Sequence, residues 1–283
     1  MEADKMNLDT ASAFAKMIDA MSANVPISDK EYIGEDGLLH CAICHKRTQT
    51  RIKIDFLGVD KIVHCICECK NREINEQVRL QKSNEQRGVC FSGKREMATW
   101  TFENDDRKNA KLSDAMQRYA RDFKDYMREG KGLLLYGPVG TGKSYFAACI
   151  ANRLIDEGYA VKMTNFAELI NEIQSTYEGK QAIINGINRY PLVIIDDLGA
   201  ERQSEFAQEI VFNLIDGRKR MGLPLIVTTN LTAEEIKKPQ DVRYARIYDR
   251  VLEMCFPVEV AGTSRRRQHV KETFGDFKDR LGL

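Results

Sequence analysis

From residue 132 onward, short apolar runs alternate with longer stretches of helical periodicity. The runs are Gly132–Tyr136, Val161–Thr164, Leu192–Ile195, Leu225–Thr228 and Phe256–Val260. Between two of them Phe206, Ile210, Val211 and Leu214 recur at the spacing of a helix's buried face. Strands alternating with helices predict an α/β domain built on a parallel sheet covered on both faces. In such sheets ligands bind beyond the carboxyl ends of the strands, so chemistry is expected in the loops after each run. Ahead of the first run, Leu112–Arg128 has helical periodicity, and Gly130 and Gly132 end it. Trp100 and Phe102 lie ahead of these elements; they could shield an adenine, and packing is the simpler reading.

The first third of the chain is patterned differently. Residues 8–23 read as a short amphipathic helix, with Leu8, Ala11, Ala15, Ile18 and Met21 near one face. Five cysteines fall within residues 37–70, between the β-like runs Arg51–Phe56 and Lys61–Val63. A polar, charged stretch follows that suits an exposed helix. The expected organisation is an acidic helical segment at 1–36, a cysteine module at 37–70, a helical linker at 71–97 and the α/β domain at 98–283. Charge supports separate modules. The net charge is +1 overall, yet residues 1–36 hold eight acidic side chains against three lysines, and residues 41–95 hold 12 basic against 6 acidic.

Composition narrows the setting. With 43% hydrophobic and 30% charged residues the chain is an ordinary globular protein. No apolar run approaches the roughly 18 residues that cross a bilayer, so no membrane association is expected. The acidic start, Met1-Glu2-Ala3-Asp4-Lys5, is unlike a secretory signal, and a cytoplasmic location is expected. In a reducing compartment the eight cysteines point to metal binding before disulfides.

Gly137-Pro138-Val139-Gly140-Thr141-Gly142-Lys143-Ser144 fits G-x-x-x-x-G-K-[ST], with an apolar run before it and a helical stretch, Tyr145–Glu157, behind it. Glycines let backbone N–H groups turn inward on an anion, and the helix start adds favourable partial charge. The expected ligands are ATP and ADP; Lys143 would bridge the β- and γ-phosphates of ATP, and Ser144 would hold Mg²⁺. The run Leu192–Ile195 delivers Asp196 and Asp197 to its carboxyl end. Asp196 is expected in the Mg²⁺ shell and Asp197 beside the attacking water. Asn230 ends the run before it and is either a γ-phosphate sensor or a helix cap, because Leu231-Thr232-Ala233-Glu234-Glu235 reads as a helix start.

Cys41-x₂-Cys44 and Cys65-x-Cys67-x-Cys69 offer five thiols for a four-coordinate Zn²⁺ site. Two of the last three should ligate, Cys65 and Cys67 being the first choice, with His45 or His64 as substitutes. An iron–sulfur cluster or plain reduced cysteines are the alternatives. Cys90, Cys149 and Cys255 are isolated, and Cys149 reads as a core residue. The basic stretches Arg218-Lys219-Arg220 and Lys237-Lys238 could follow phosphates, although charge runs are more often solvated faces.

Over roughly residues 98–270 the chain resembles the AAA+ ATPases, and within them the DnaC/DnaI-type replicative helicase loaders, with IstB-like transposition ATPases as relatives. The resemblance rests on Gly137–Ser144, on Val193-Ile194-Ile195-Asp196-Asp197-Leu198-Gly199, on Thr228-Thr229-Asn230, on Arg246-Ile247-Tyr248-Asp249-Arg250 and on Gly262-Thr263-Ser264-Arg265-Arg266. It implies that Asn230 is the sensor-1 residue. It also implies that Arg250 reaches a neighbouring subunit's ATP as the arginine finger and that Arg266 is the sensor-2 residue. Most AAA+ enzymes carry Glu where Asp197 stands. The shorter Asp, common in loaders, implies slow, partner-gated hydrolysis. The N-terminal zinc module looks like that of loaders carried by phages and prophages of Gram-positive bacteria, where it engages the helicase. The implied partners are a DnaB-type replicative helicase ring, single-stranded DNA and further copies of the chain through AAA+ interfaces. A transposition-assisting ATPase and an ATP-sensing adaptor without turnover remain alternatives. A small-molecule kinase would need a phosphate-closing lid, and none is evident.

Overall fold

The computed structural model describes residues 28–54, 59–175, 179–199, 204–239, 241–265, 274, 277–278 and 280–281. The amphipathic segment read at 8–23, and Arg266, lie outside them. The chain divides into two compact units, Met1–Gln81 and Lys82–Leu283.

The described residues of the first unit form two antiparallel hairpins followed by a helix. Strands β1 (Glu31–Ile33) and β2 (Leu39–Cys41) pair with Tyr32 opposite His40. Strands β3 (Gln49–Ile54) and β4 (Val59–His64) pair with Gln49 opposite His64. Helix α1 (Glu68–Cys90) then begins. Among the described residues only Leu39, Cys41, Val63 and Cys67 are buried apolar side chains of this unit. Cores of this size are commonly fastened by a metal or another cross-link.

The second unit takes in the end of α1 from Lys82, earlier than the change of pattern near residue 98. Side chains explain this. Gln86 donates to the Val161 carbonyl, Arg87 to Asn152 Oδ1 and Asp156, and Cys90 and Phe91 are buried. After α2 (Ala110–Arg121) and α3 (Phe123–Glu129) come β5 (Gly132–Tyr136), α4 (Lys143–Asp156), β6 (Val161–Thr164), α5 (Phe166–Ser175) and α6 (Lys180–Asn188). Then β7 (Leu192–Leu198), α7 (Glu205–Arg220), β8 (Leu225–Thr229), α8 (Ala233–Lys237), α9 (Val242–Met254) and β9 (Cys255–Glu259) complete it. The helix expected over Leu112–Arg128 is thus two helices, broken at Asp122, whose φ of −96° and ψ of 16° leave the helical register. Gly130, at φ 64°, ends the second.

The sheet is parallel throughout, in the order β6-β7-β8-β5-β9. Side chains alternate along each strand, so both faces are buried. Val193, Ile195 and Val227 pack with Ile184, Ile210, Leu214 and Val251 on one face. Leu133, Leu135, Ile194 and Ile226 pack with Met116, Phe146, Ile150 and Leu154 on the other.

Two local features lie outside the hydrophobic pattern. Arg218 is fully buried, and its guanidinium donates to the carbonyls of Asn188, Tyr190, Pro191 and Pro224 at 2.6–3.0 Å. Burial pulls its pKa down to about 10. At the sheet edge, Val260 N–H donates to the Tyr136 carbonyl at 2.8 Å. By the period-2 alternation Pro257 then directs its nitrogen away from β5, and proline costs the ladder no bond there. No helix among the described residues is long and apolar enough to cross a membrane.

Candidate nucleotide site and metal centre

The loop between β5 and α4 lies at the carboxyl end of a central strand. Gly137 (φ 136°) and Gly140 (φ 82°) take backbone conformations that side-chain-bearing residues rarely adopt. A Cβ on Gly137 would also come within 2.8 Å of the Val260 carbonyl oxygen. Lys143 opens α4 and is only 5% exposed. Its ammonium donates to the carbonyls of Gly137 and Pro138 at 2.8 and 2.7 Å. Burial holds its pKa below the usual lysine range, against the pull of Asp197 and Asp196.

The carboxylates come from β7. Asp196 Oδ1 accepts from Ser144 Oγ at 2.7 Å and from Thr228 Oγ1 at 2.6 Å. The β7–β8 register then shifts between Ile195 and Leu198, and Asp197 sits at φ 58°. This left-handed backbone is costly for a non-glycine residue, and such strain gathers at functional positions. Asp197 N–H donates to Thr228 Oγ1 at 2.9 Å, and Asn230 Nδ2 donates to Asp197 Oδ1 at 3.0 Å. Asn230 therefore does not cap the following helix. Thr232 does, through a capping box with Glu235. The structure brings the glycine-rich loop, Lys143, Ser144, Asp196, Asp197 and Asn230 to one place.

The arginines are dispersed. Arg250 lies 3.6 Å from Asp216 and 3.1 Å from Glu253 within its own chain. Of the basic stretch Arg218-Lys219-Arg220, Arg218 is buried in the fold, Lys219 pairs with Glu253 and Arg220 with Asp216. Only the last two remain at the surface. Arg265, one residue before Arg266, donates its backbone N–H to the Gly140 carbonyl at 2.9 Å. Its guanidinium lies 3.2 Å from Asp106 and 3.7 Å from Asp105, a buried carboxylate whose oxygens accept no hydrogen bond. Thr228 stands in the run Thr228-Thr229-Asn230 but carried no role of its own there, and the Arg265–Asp105–Asp106 contact was not expected. Thr228 looks like one more β-branched strand residue until the bulge beside it is known.

In the first unit, the sulfurs of Cys41, Cys44, Cys67 and Cys69 all lie within 4.8 Å of one another. Cys65 is not among them, and its thiol instead lies 3.4 Å from the Arg47 carbonyl. The first choice of Cys65 with Cys67 is corrected to Cys67 with Cys69. Residues 65 and 67 point the same way along an extended chain. Here β4 ends at His64 and α1 begins at Glu68, so the turn into the helix swings Cys67 and Cys69 together. Four sulfurs so placed fit a tetrahedral thiolate site. The Cys44 thiol is drawn down to about 7, chiefly by the Lys46 backbone N–H. Neither histidine substitute joins the cluster. His45, at φ 56°, bonds the Tyr32 hydroxyl, and His64 lies 3.4 Å from the Gln49 amide.

A glycine-lined turn closing on a helix start, with paired aspartates on the adjoining strand system, defines an ATP-binding P-loop protein of the AAA+ class. Residues 69–273 match the family of IstB-like ATP binding proteins, and the chain belongs to that family. It is similar to the replicative helicase loader DnaI of Bacillus subtilis, at 28% identity over 54% of this chain and 54% of that protein. It is also similar to the replicative helicase loader DnaC of Escherichia coli, at 27% identity over 45% of this chain and 52% of that one. A crystal structure of DnaI superposes with a TM-score of 0.52 and 26% identity, covering 60% of this chain and 93% of that one. The chain spans about half the length of these two curated relatives.

Proposed function

We propose that this protein is an Mg²⁺-dependent ATPase that loads a ring-shaped replicative helicase onto single-stranded DNA. The observation that carries the ATPase half is the pairing of Asp196 and Asp197 across from Lys143, with Asn230 bonded to Asp197. Phosphates entering the loop would take Lys143 from the Gly137 and Pro138 carbonyls, exchanging two neutral acceptors for charged ones. Ser144 and Asp196 would hold Mg²⁺, which offsets charge developing on the phosphoryl oxygens. Asp197 would orient the water that attacks the γ-phosphorus and take its proton, leaving ADP and inorganic phosphate. Asn230 would keep that carboxylate aimed.

Arg250 would act on a neighbouring copy's ATP, and to do so it must leave Asp216 and Glu253. That exchange of partners supplies a reason for slow turnover away from the assembled state. Arg266 would contact phosphate within its own subunit. In the first unit Cys41, Cys44, Cys67 and Cys69 would hold Zn²⁺ and so fix a module whose own core is too small.

Helicase loading rests on the likeness to DnaI and DnaC together with the cysteine module ahead of the ATPase unit. The test is capture of the replicative helicase from the same host or phage, with ATP and without it, alongside steady-state ATP hydrolysis. Binding that changes with ATP supports loading. Failure of that helicase to bind in either state removes it and favours transposition. Lys143→Ala and Asp197→Asn separate an enzyme from an adaptor, since an adaptor without turnover loses function only with the first.

A further inference from the structure

We infer that Thr228 is a positioning residue for hydrolysis, a single buried hydroxyl that sets the placement of both site carboxylates. The inference rests on the ATPase reading above and goes beyond it. Thr228 is fully buried in β8. Its Oγ1 donates to Asp196 Oδ1 at 2.6 Å and accepts from Asp197 N–H at 2.9 Å. A hydroxyl has one proton. With that proton given to Asp196, its lone pairs are what remain for the Asp197 amide, so the two bonds are set in one direction.

The second bond answers a structural need. Where β7 and β8 fall out of register between Ile195 and Leu198, the Asp197 amide finds its acceptor in this side chain. That N–H needs an acceptor at the break in the ladder, and the φ of 58° at Asp197 adds to the demand. Thr228 meets both and so holds Asp197 in the conformation from which its carboxylate meets Asn230. Ser144 shares Asp196 Oδ1 with Thr228. The ion-binding carboxylate and the water-orienting carboxylate are therefore tied through one oxygen atom. Valine has the same shape but no such oxygen. Serine keeps the oxygen and loses only a methyl.

The experiment compares Thr228→Val and Thr228→Ser with the wild-type protein, measuring ATP affinity, kcat and the Mg²⁺ concentration that half-saturates nucleotide binding. Thr228→Val is expected to lower kcat about 10- to 100-fold, the usual cost of losing an outer partner of a site ligand, and to raise the Mg²⁺ requirement. ATP affinity at saturating Mg²⁺ should stay within about threefold, a shift below 1 kcal/mol. Thr228→Ser should restore most of the turnover, and Thr228→Val added to Asp197→Asn should cost nothing further. Unchanged kcat in Thr228→Val overturns the inference. So does a parallel loss of affinity, kcat and thermal stability that serine does not restore, because that marks a residue of the fold alone. If the wild-type protein binds ATP without turning it over, the hydrolysis reading fails by itself. The Mg²⁺ requirement then decides for Thr228, raised in its favour or unchanged against it.

Discussion

Lys143 carries a charge in surroundings that disfavour one. Its pKa is held down by burial, and phosphate oxygens would favour the protonated form and raise it again. Proton uptake on binding is therefore expected between the two values, and ATP affinity should fall as pH rises through the lower one. Calorimetry in two buffers of different ionisation enthalpy, across pH 7 to about 10.5, reads this directly. Asp197→Asn keeps every group that touches the phosphates. It should retain ATP binding and lose about 10²- to 10⁴-fold in turnover, the range of a general base. Steady-state turnover equal to wild type would remove Asp197 from the chemistry. Arg218→Met tests a different physics. The carbonyls of Asn188, Tyr190, Pro191 and Pro224 would lose their shared donor inside the protein. A loss of about 3 kcal/mol or more is expected in denaturant unfolding, with ATP affinity per folded molecule unchanged.

Elements differ in how much they owe to pattern and how much to geometry. The five strands of the sheet were legible because each is a short apolar run next to a turn, and burial on both faces demands that composition. The phosphate loop was legible because its chemistry needs glycines, a lysine and a hydroxyl at set spacing. The break at Asp122 was not, since the apolar period runs on through it and only the backbone departs. The ligand choice among Cys65, Cys67 and Cys69 depends on where an extended strand becomes a helix, and spacing alone does not mark that point. Residues 65, 67 and 69 share one side of an extended chain, so alternation cannot choose among them, whereas the chain turns at Cys65–Cys67. A direct consequence is that Cys69→Ser should weaken zinc retention in a chromophoric chelator competition, whereas Cys65→Ser should leave it near wild type. The reverse result would restore the choice made from spacing. Stripping the ion should unfold residues 37–69 and spare the sheet. Hydrogen exchange that rises in the first unit alone would show it.

At the level of the whole molecule, two compact units carry two kinds of stability. One rests on an extended two-sided core; in the other the described residues offer four gathered sulfurs and a few buried side chains, and its stability is expected to depend on a bound ion. Arg250 belongs to the question of assembly. If it serves a neighbour's ATP, Arg250→Ala should lower hydrolysis only at concentrations where copies associate. Mixing it with the Asp197→Asn protein should then restore activity at mixed interfaces. No recovery on mixing would confine Arg250 to its own chain's ion pairs.

Pro257 bears on the same question from the rim of the sheet. Its outward nitrogen has no hydrogen to offer, so another chain's backbone cannot continue the β ladder past β9 without a gap. Copies that associated across this edge would meet through side chains, which separate readily, and fibre-like stacking is discouraged at the margin bearing Phe256.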